Sequence, residues 1–244
     1  MSNLVPRHQL GYVLPIPVGD YIHYQFYNVA PPNVFMVAIP LGLQSFSAGG
    51  AENAMDGFMK AVDFLHNRGV HRIVQGGIPI SAFIGRPRML EFCAEAQRRS
   101  GVECTCDFEE TIQGLQSQGV KKVAVAAKWD DALINGMRGY LAHAGLEVVG
   151  HAAEVHTAQQ VMDVTPQAGL DMAIALGSKA LEEFPQADGL LLGGGAWLSM
   201  PAVPVLESKF GKPVVTNPTA TYWAALRQFG LKGKRGFGRL LDSL

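Results

Sequence analysis

The feature of this sequence that most constrains its fold is an internal repeat built on glycine turns. Residues 69–81 (GVHRIVQGGIPIS) resemble residues 187–199 (ADGLLLGGGAWLS): in each, a short apolar run leads into consecutive glycines, and a serine follows. An apolar run of this length that ends in glycine is typical of a buried strand followed by a tight turn. The repeat therefore predicts two halves of the same architecture.

Strand-sized apolar runs alternate with stretches of helical periodicity in both halves. Between residues 51 and 67, for example, Ala54, Met55, Phe58 and Val62 recur at helical spacing. Because parallel strands need crossover helices, this alternation predicts an α/β fold of two doubly wound parallel-sheet domains, related by pseudo-two-fold symmetry. The predicted strands are 11–15, 34–39, 71–75, 102–106, 122–127, 146–149, 189–192 and 213–215, and the predicted helices are 51–67, 86–99, 109–117, 131–144, 170–184, 201–210 and 222–229.

The chain of 244 residues is long enough for two such domains. We predict that residues 1–118 together with 217–244 form the first domain and that residues 119–216 form the second. Ligands bind beyond the carboxyl ends of the strands in sheets of this kind. The ligand cleft is therefore predicted between the two domains, with one glycine turn on each side.

Composition and charge exclude several functions. Hydrophobic residues make up 48% of the chain, and 20 Lys and Arg oppose 21 Asp and Glu, so there is no basic excess to bind a nucleic acid. No apolar run is long enough to cross a bilayer and no secretory signal is visible, so we expect a cytoplasmic protein without a membrane partner.

Cys93, Cys104 and Cys106 are expected to be buried thiols, because no second Cys/His cluster completes a zinc site.

The glycine turns fit none of the common nucleotide motifs. No Lys follows residues 193–195 at the spacing of a phosphate-binding loop, and no acidic ribose partner follows at the expected offset, so a nucleotide site is weakly supported. One alternative is a purely structural tight turn. The other is a small-anion site, in which backbone N–H groups bind a carboxylate or an enolate oxygen.

The two-fold repeat, the paired turns and the final segment 236–242 (GFGRLLD) resemble the aspartate/glutamate racemase superfamily. Residues 188–207 (DGLLLGGGAWLSMPAVPVLE) are most similar to its arylmalonate decarboxylase and maleate isomerase branch. The resemblance implies chemistry without a cofactor, through a carbanion or enediolate next to a carboxylate. It also implies that one or two cysteines act at the third-strand turns, and these positions fall at Gly77 and Gly194.

Other positions also depart from the family pattern. Hydroxyl side chains of the decarboxylases fall at Ile78, Pro79 and Trp129, which favours a divergent natural member over an engineered change at Gly194 alone. The resemblance leaves the N–H groups of Gly195 and Ala196 to bind a carboxylate. Trp129 and Trp197 are expected either to line the site or to belong to the core.

Without these cysteines, catalysis requires another acid or base. The candidates follow predicted strand ends: Asp20 and His23 after the first strand, Lys128 and Asp130 after 122–127, and His156 after 146–149. Each has the alternative of a solvated or capping role, and Asp130 is suited to cap the next helix.

Two functions from different classes follow. The first is a cofactor-independent lyase or isomerase, with decarboxylase or racemase-like chemistry on a small carboxylic acid, an enolate-like intermediate and a non-cysteine acid or base. The second is a catalytically vestigial protein that binds a small carboxylate. A wholly structural role ranks third.

Overall fold

The computed structural model describes residues 5–43 and 45–244, in which strands and helices alternate along the chain. The strands are β1 (His8–Leu14), β2 (Val34–Pro40), β3 (Arg72–Gln75), β4 (Glu103–Cys106), β5 (Lys122–Ala127), β6 (Glu147–Ala153), β7 (Gly189–Leu192) and β8 (Val214–Thr216). The helices are α1 (Asp20–Val29), α2 (Ala48–Arg68), α3 (Ile78–Ile84), α4 (Arg86–Ser100), α5 (Asp107–Ser117), α6 (Asp131–Ala142), α7 (Ala158–Met162), α8 (Pro166–Glu183), α9 (Ala202–Phe210), α10 (Asn217–Gln228) and α11 (Arg239–Asp242).

The strands form two four-stranded parallel sheets of identical order. The first sheet runs β2-β1-β3-β4 and the second runs β6-β5-β7-β8. The repeated segments supply β3 and β7, which occupy the same place in their sheets, next to the strand that begins each half. The predicted fold of two doubly wound parallel sheets is confirmed, and the glycine turns leave the carboxyl ends of equivalent strands.

Apolar packing joins the two halves. One continuous cluster of buried side chains extends from Leu10 and Val74 in the first sheet to Val125 and Leu191 in the second. After β8, helix α10 packs against α5 and α1 of the first half. The three cysteines are buried and free, as predicted. No helix in the described part of the chain is long and apolar enough to cross a membrane.

Helices α1, α3, α7 and α11 are absent from the sequence prediction. Helix α3 begins directly at the glycine turn, where Gly77 and Pro79 indicate a loop by sequence, although proline is well tolerated in a first helical turn. Helix α10 begins five residues earlier than predicted, because Thr216 and Thr219 form a capping box that fixes its start.

Candidate functional site

A cavity lies between the two halves, at the carboxyl ends of β1, β3, β5 and β7. Most of its lining is apolar. Its walls are Tyr12, Leu14, Pro15, Ile16, Val18, Gly19, Asp20, Tyr21, Ile22, Phe46, Gly77, Ile78, Pro79, Lys128, Trp129, Val161, Gly194, Gly195, Ala196 and Asn217. Both glycine turns therefore border one space.

Helix α1 of the first half closes one side of this cavity and is tied to both halves. The Tyr21 hydroxyl donates to the Val164 carbonyl of the second half at 2.5 Å. The Tyr222 hydroxyl donates to the Ile22 carbonyl at 2.7 Å. These bonds hold the Ile22 side chain against the second turn, where its Cδ1 lies 2.5 Å from the point that a Cβ on Gly195 would occupy.

The two turns have matching backbone geometry at their central glycines. The φ angle is +104° at Gly77 and +105° at Gly194, a region that side chains strongly disfavour. The Gly77 N–H donates to Asp107 Oδ2 at 2.8 Å, and the Gly194 N–H donates to Asn217 Oδ1 at 3.1 Å. Because Asp107 begins α5 and Asn217 begins α10, each turn is held by the first residue of the helix that follows the last strand of its half.

These two side chains also bind each other. Asn217 Nδ2 donates to Asp107 Oδ2 at 2.9 Å, and the Tyr12 hydroxyl donates to the same oxygen at 3.3 Å. Asp107 is fully buried, and burial raises its pKa to about 6, although the hydrogen bonds from Gly77, Asn217 and Tyr12 oppose the rise. The Asp107–Asn217 pair therefore couples the turns at the centre of the pseudo-symmetry.

The first turn borders the cavity but offers it few backbone donors. Helix α3 begins immediately at Ile78, and Pro79 has no N–H to offer a ligand. A Cβ on Gly77 would lie only 2.7 Å from Pro15 Cγ, so the turn is tightly covered. This turn presents mainly apolar surface to the cavity.

The second turn is open. No helix follows it until α9 begins at Ala202. The N–H groups of Gly195 and Ala196 have no hydrogen-bond acceptor among residues 5–43 and 45–244, and both residues line the cavity. Trp197 Nε1 donates to the Gly194 carbonyl at 2.6 Å and fixes the turn. Two adjacent N–H groups are thus free for the oxygen atoms of a ligand.

Lys128 directly follows β5 and lies beside the open turn. Its side chain is 1% exposed, and its Nζ has no hydrogen-bond partner within the described residues. The Nζ lies 3.4 Å from the centroid of the Trp197 ring and 3.5 Å from the point that a Cβ on Gly194 would occupy. Burial holds the pKa of the Lys128 amine well below its usual range, because desolvation disfavours the charged ammonium form.

The other predicted acid or base candidates occupy different surroundings. Asp20 lines the cavity but is exposed, and its Oδ1 accepts from the Tyr21 N–H. His23 is not in the cavity lining, and its Nδ1 lies 2.8 Å from the Gly19 carbonyl oxygen.

Asp130 and His156 line a separate groove. Asp130 caps α6 by accepting from the Leu133 N–H at 2.9 Å, and His156 Nε2 lies 2.8 Å from Glu154 Oε1. Of the five candidates, the structure brings Lys128 and Asp20 to the cavity.

Trp129 and Trp197 were each expected either to line the site or to belong to the core, and the structure places them differently. Trp129 is nearly buried and lines the cavity, close to the point that a Cβ on Gly193 would occupy. Trp197 is fully buried in the core of the second half, and the face of its ring contacts Lys128 Nζ. Ile78 and Pro79 lie in the lining as predicted, so the walls suit a ligand with an apolar group.

Sequence reasoning missed Asp107, Asn217 and Tyr12. A signal was present for the first two, since each directly follows the last strand of its half. Their mutual contact depends on the packing of the halves, which the sequence pattern does not specify.

Comparison with known proteins places this fold and site in context. The model of the arylmalonate decarboxylase family matches residues 21–241. The arylmalonate decarboxylase of Bordetella bronchiseptica is 28% identical over 213 residues, which cover 86% of this chain and 88% of that protein.

Solved structures show the same fold. A crystal structure of arylmalonate decarboxylase has a TM-score of 0.83 at 24% identity and covers 97% of this chain and 100% of its own. A Nocardia farcinica maleate cis-trans isomerase mutant with a covalently bound succinylcysteine intermediate has a TM-score of 0.83 at 17% identity. It covers 98% of this chain and 99% of its own.

Proposed function

The chain belongs to the arylmalonate decarboxylase family, and we propose that it is a cofactor-independent lyase or isomerase that acts on a small carboxylic acid through an enolate-like intermediate. The observation that supports this most is the unpartnered amine of Lys128 beside an open turn with two free N–H groups. In this proposal Lys128 is the acid or base that acts in place of a cysteine.

Binding begins at the second turn. A carboxylate of the substrate accepts hydrogen bonds from the N–H groups of Gly195 and Ala196, and its apolar group packs against Trp129 and Ile78. Hydrogen bonds to a charged acceptor are worth about 1.5–3 kcal/mol each. The turn is held in place by Asn217 and Trp197, so little reorganisation is required.

The chemical step moves a proton between Lys128 Nζ and the carbon next to the bound carboxylate. In isomerisation or racemisation, the neutral amine removes this proton, and negative charge develops on the carboxylate oxygens that Gly195 and Ala196 bind. In decarboxylation, a second carboxyl group leaves as carbon dioxide and the ammonium form donates a proton to the same carbon. Hydrogen bonds that strengthen as charge develops lower the barrier.

The second candidate is a catalytically vestigial protein that binds a small carboxylate. Gly77 and Gly194 favour it, because neither has a side chain that could supply a thiolate. The two candidates differ in one respect: both bind the carboxylate, but only the enzyme exchanges protons at the adjacent carbon.

Deuterium exchange at the α-carbon of phenylacetate separates the two. We expect proton NMR in deuterated water to show exchange that the wild type catalyses and that Lys128→Met reduces on the order of 10²–10⁴-fold. The control Lys122→Met, at the exposed start of the same strand, should exchange like wild type. Saturation-transfer binding of phenylacetate without any exchange would establish the vestigial alternative and overturn the proposed enzyme.

A further inference from the structure

The surroundings of Lys128 are unusual for a structural lysine. Of the lysines in residues 5–43 and 45–244, it alone is buried, and its Nζ contacts the face of Trp197 rather than a carboxylate. Burying an amine without a hydrogen-bond acceptor costs free energy. Packing alone would be served by an apolar chain of similar length, so the amine itself requires an explanation.

A neutral amine in an apolar cavity is a nucleophile as well as a base. Lys128 Nζ lies beside Gly194, and the next two residues of the same turn, Gly195 and Ala196, carry the free N–H groups. A carbonyl oxygen bound by these two groups would place its carbon near Nζ. The same N–H groups would then stabilise the oxyanion that forms when the amine adds to that carbonyl.

From this juxtaposition we infer that Lys128 forms an imine with the ketone of a small 3-oxo acid, which then loses carbon dioxide. The inference rests on the proposed function, because it uses the same N–H groups and the same amine. The ketone takes the place of the carboxylate that these groups bind in the proton-transfer reaction. The acid's own carboxylate then faces the apolar walls formed by Ile78, Pro79 and Trp129.

The reaction balances without a cofactor. The lone pair of Nζ forms a bond to the ketone carbon. One amine proton and one proton from solvent pass to the ketone oxygen, which leaves as water, and a protonated imine (an iminium) remains. The bond between the α-carbon and the carboxylate then breaks, and its electron pair forms the double bond of an enamine while carbon dioxide leaves. A proton from water adds to the α-carbon, and a second water hydrolyses the iminium to release the ketone product and the free amine.

Two features of the cavity favour this sequence. Burial lowers the pKa of Lys128 and leaves its Nζ without a hydrogen-bond partner in the described residues, and both favour the nucleophilic neutral amine. The apolar walls offer a carboxylate little solvation, so the charged ground state is disfavoured relative to a transition state in which charge moves onto the iminium nitrogen.

Borohydride trapping tests the inference. Wild-type protein is incubated with acetoacetate and sodium borohydride, and the adduct is located by peptide mass spectrometry. We expect an isopropyl group on Lys128, the reduced imine of the decarboxylated product. Lys122→Met should be labelled at Lys128 like wild type, while release of carbon dioxide in Lys128→Met should fall to the rate in buffer.

Lys128→Arg retains a cation but cannot form this imine, so it should lose both trapping and carbon dioxide release. Catalysed release of carbon dioxide without an adduct on Lys128 would overturn the imine. The imine would also be overturned if no adduct were trapped in a protein that still exchanges the α-protons of phenylacetate. In that case the proposed function would stand. Loss of both reactions would overturn both proposals, and thermal unfolding of each variant would verify that it is folded.

Discussion

The turn after β3 and the turn after β7 begin from the same geometry and end with different chemistry. Gly77 and Gly194 have nearly equal φ angles, and each N–H is held by the first residue of the corresponding helix. Beyond the central glycine, however, the first turn enters a helix at Ile78 and its next residue, Pro79, has no N–H. The second turn instead leaves two adjacent N–H groups, those of Gly195 and Ala196, unbonded within the described residues.

This difference shows how a symmetric fold can form an asymmetric site. The repeat provides two equivalent turns at the edge of one cavity, and a few residues decide which of them binds polar groups. Pro79 removes one donor from the first turn, while Lys128 adds an amine beside the second. We therefore propose that the second turn binds the substrate carboxylate and that the first contributes apolar packing.

The largest expected effect is a loss of stability when both members of the Asp107–Asn217 pair are made aspartate. Asn217→Asp places two buried carboxyl groups in contact, because the present Nδ2 to Oδ2 distance is 2.9 Å. They can share one proton at low pH, but ionisation of both is strongly unfavourable. We expect the free energy of unfolding at pH 8 to fall by about 3–5 kcal/mol in urea denaturation.

The matched control is Asp107→Asn, which keeps an acceptor for the Gly77 N–H. In wild type the folded pKa of Asp107 is raised from 3.8 to about 6, so the folded state binds the proton more tightly than the unfolded state. Stability from this group is therefore lost as pH rises from about 4 to about 6, by about 3 kcal/mol. Asp107→Asn should reduce that slope. Glu110 would still contribute, because burial raises its pKa to about 7. An unchanged slope would contradict the ionisation assigned to Asp107.

Blocking the second turn should weaken binding on the order of 100-fold. In Gly195→Val the new side chain meets Ile22 and fills the space above the free N–H groups, at a cost of about 1–3 kcal/mol in stability. The dissociation constant of phenylacetate is measured by calorimetry. The equivalent change in the first turn is Ile78→Val, which should leave affinity within about twofold because Ile78 contributes only packing. Equal losses in both variants would contradict the division between the turns.

Carboxylate binding should be linked to protonation of Lys128. A carboxylate at Gly195 raises the pKa of the nearby Lys128 amine. At a pH above the pKa of this amine in the free protein, binding is therefore accompanied by the uptake of as much as about one proton. The dissociation constant should then rise about tenfold per pH unit in that range. Calorimetry in two buffers of different ionisation enthalpy measures the uptake, and Lys128→Met should abolish it. Uptake that persists in this variant would assign the proton to another group.

The smallest effect is expected from restoring a donor to the first turn. Pro79→Ala adds an N–H next to that of Ile78, but Pro15 packs closely over this turn, with its Cγ 2.7 Å from the point that a Cβ on Gly77 would occupy. The second turn and Lys128 therefore remain the better carboxylate site. Affinity for phenylacetate should change by less than about threefold, and stability should fall by about 0.4–1 kcal/mol as the unfolded chain gains freedom. A tenfold gain in affinity would show that the first turn also binds the carboxylate.

The sequence predicted the fold and the location of the cavity because both depend on local, repeated patterns. The glycine turns follow apolar strands in each half, and the strand-helix alternation specifies parallel sheets. Helix α3 was missed for a local reason: glycines followed by proline indicate a loop, yet proline fits the first helical turn that begins there.

Which of the five acid or base candidates lies at the cavity depends on contacts between residues that are distant in sequence, and no local pattern contains these contacts. Lys128 was one of five candidates because it follows a strand, but its burial depends on Trp197, which is distant in sequence. His156 also follows a strand, yet it pairs with Glu154 in another groove. Asp107 and Asn217 meet only because the two halves pack face to face.

The position of a bound carboxylate tests the division between the turns most directly. A crystal structure of the protein with phenylacetate should place the carboxylate oxygens about 3 Å from the backbone nitrogens of Gly195 and Ala196, with Lys128 Nζ beside the α-carbon. A carboxylate bound at Ile78 in the first turn, or outside the cavity, would contradict the account.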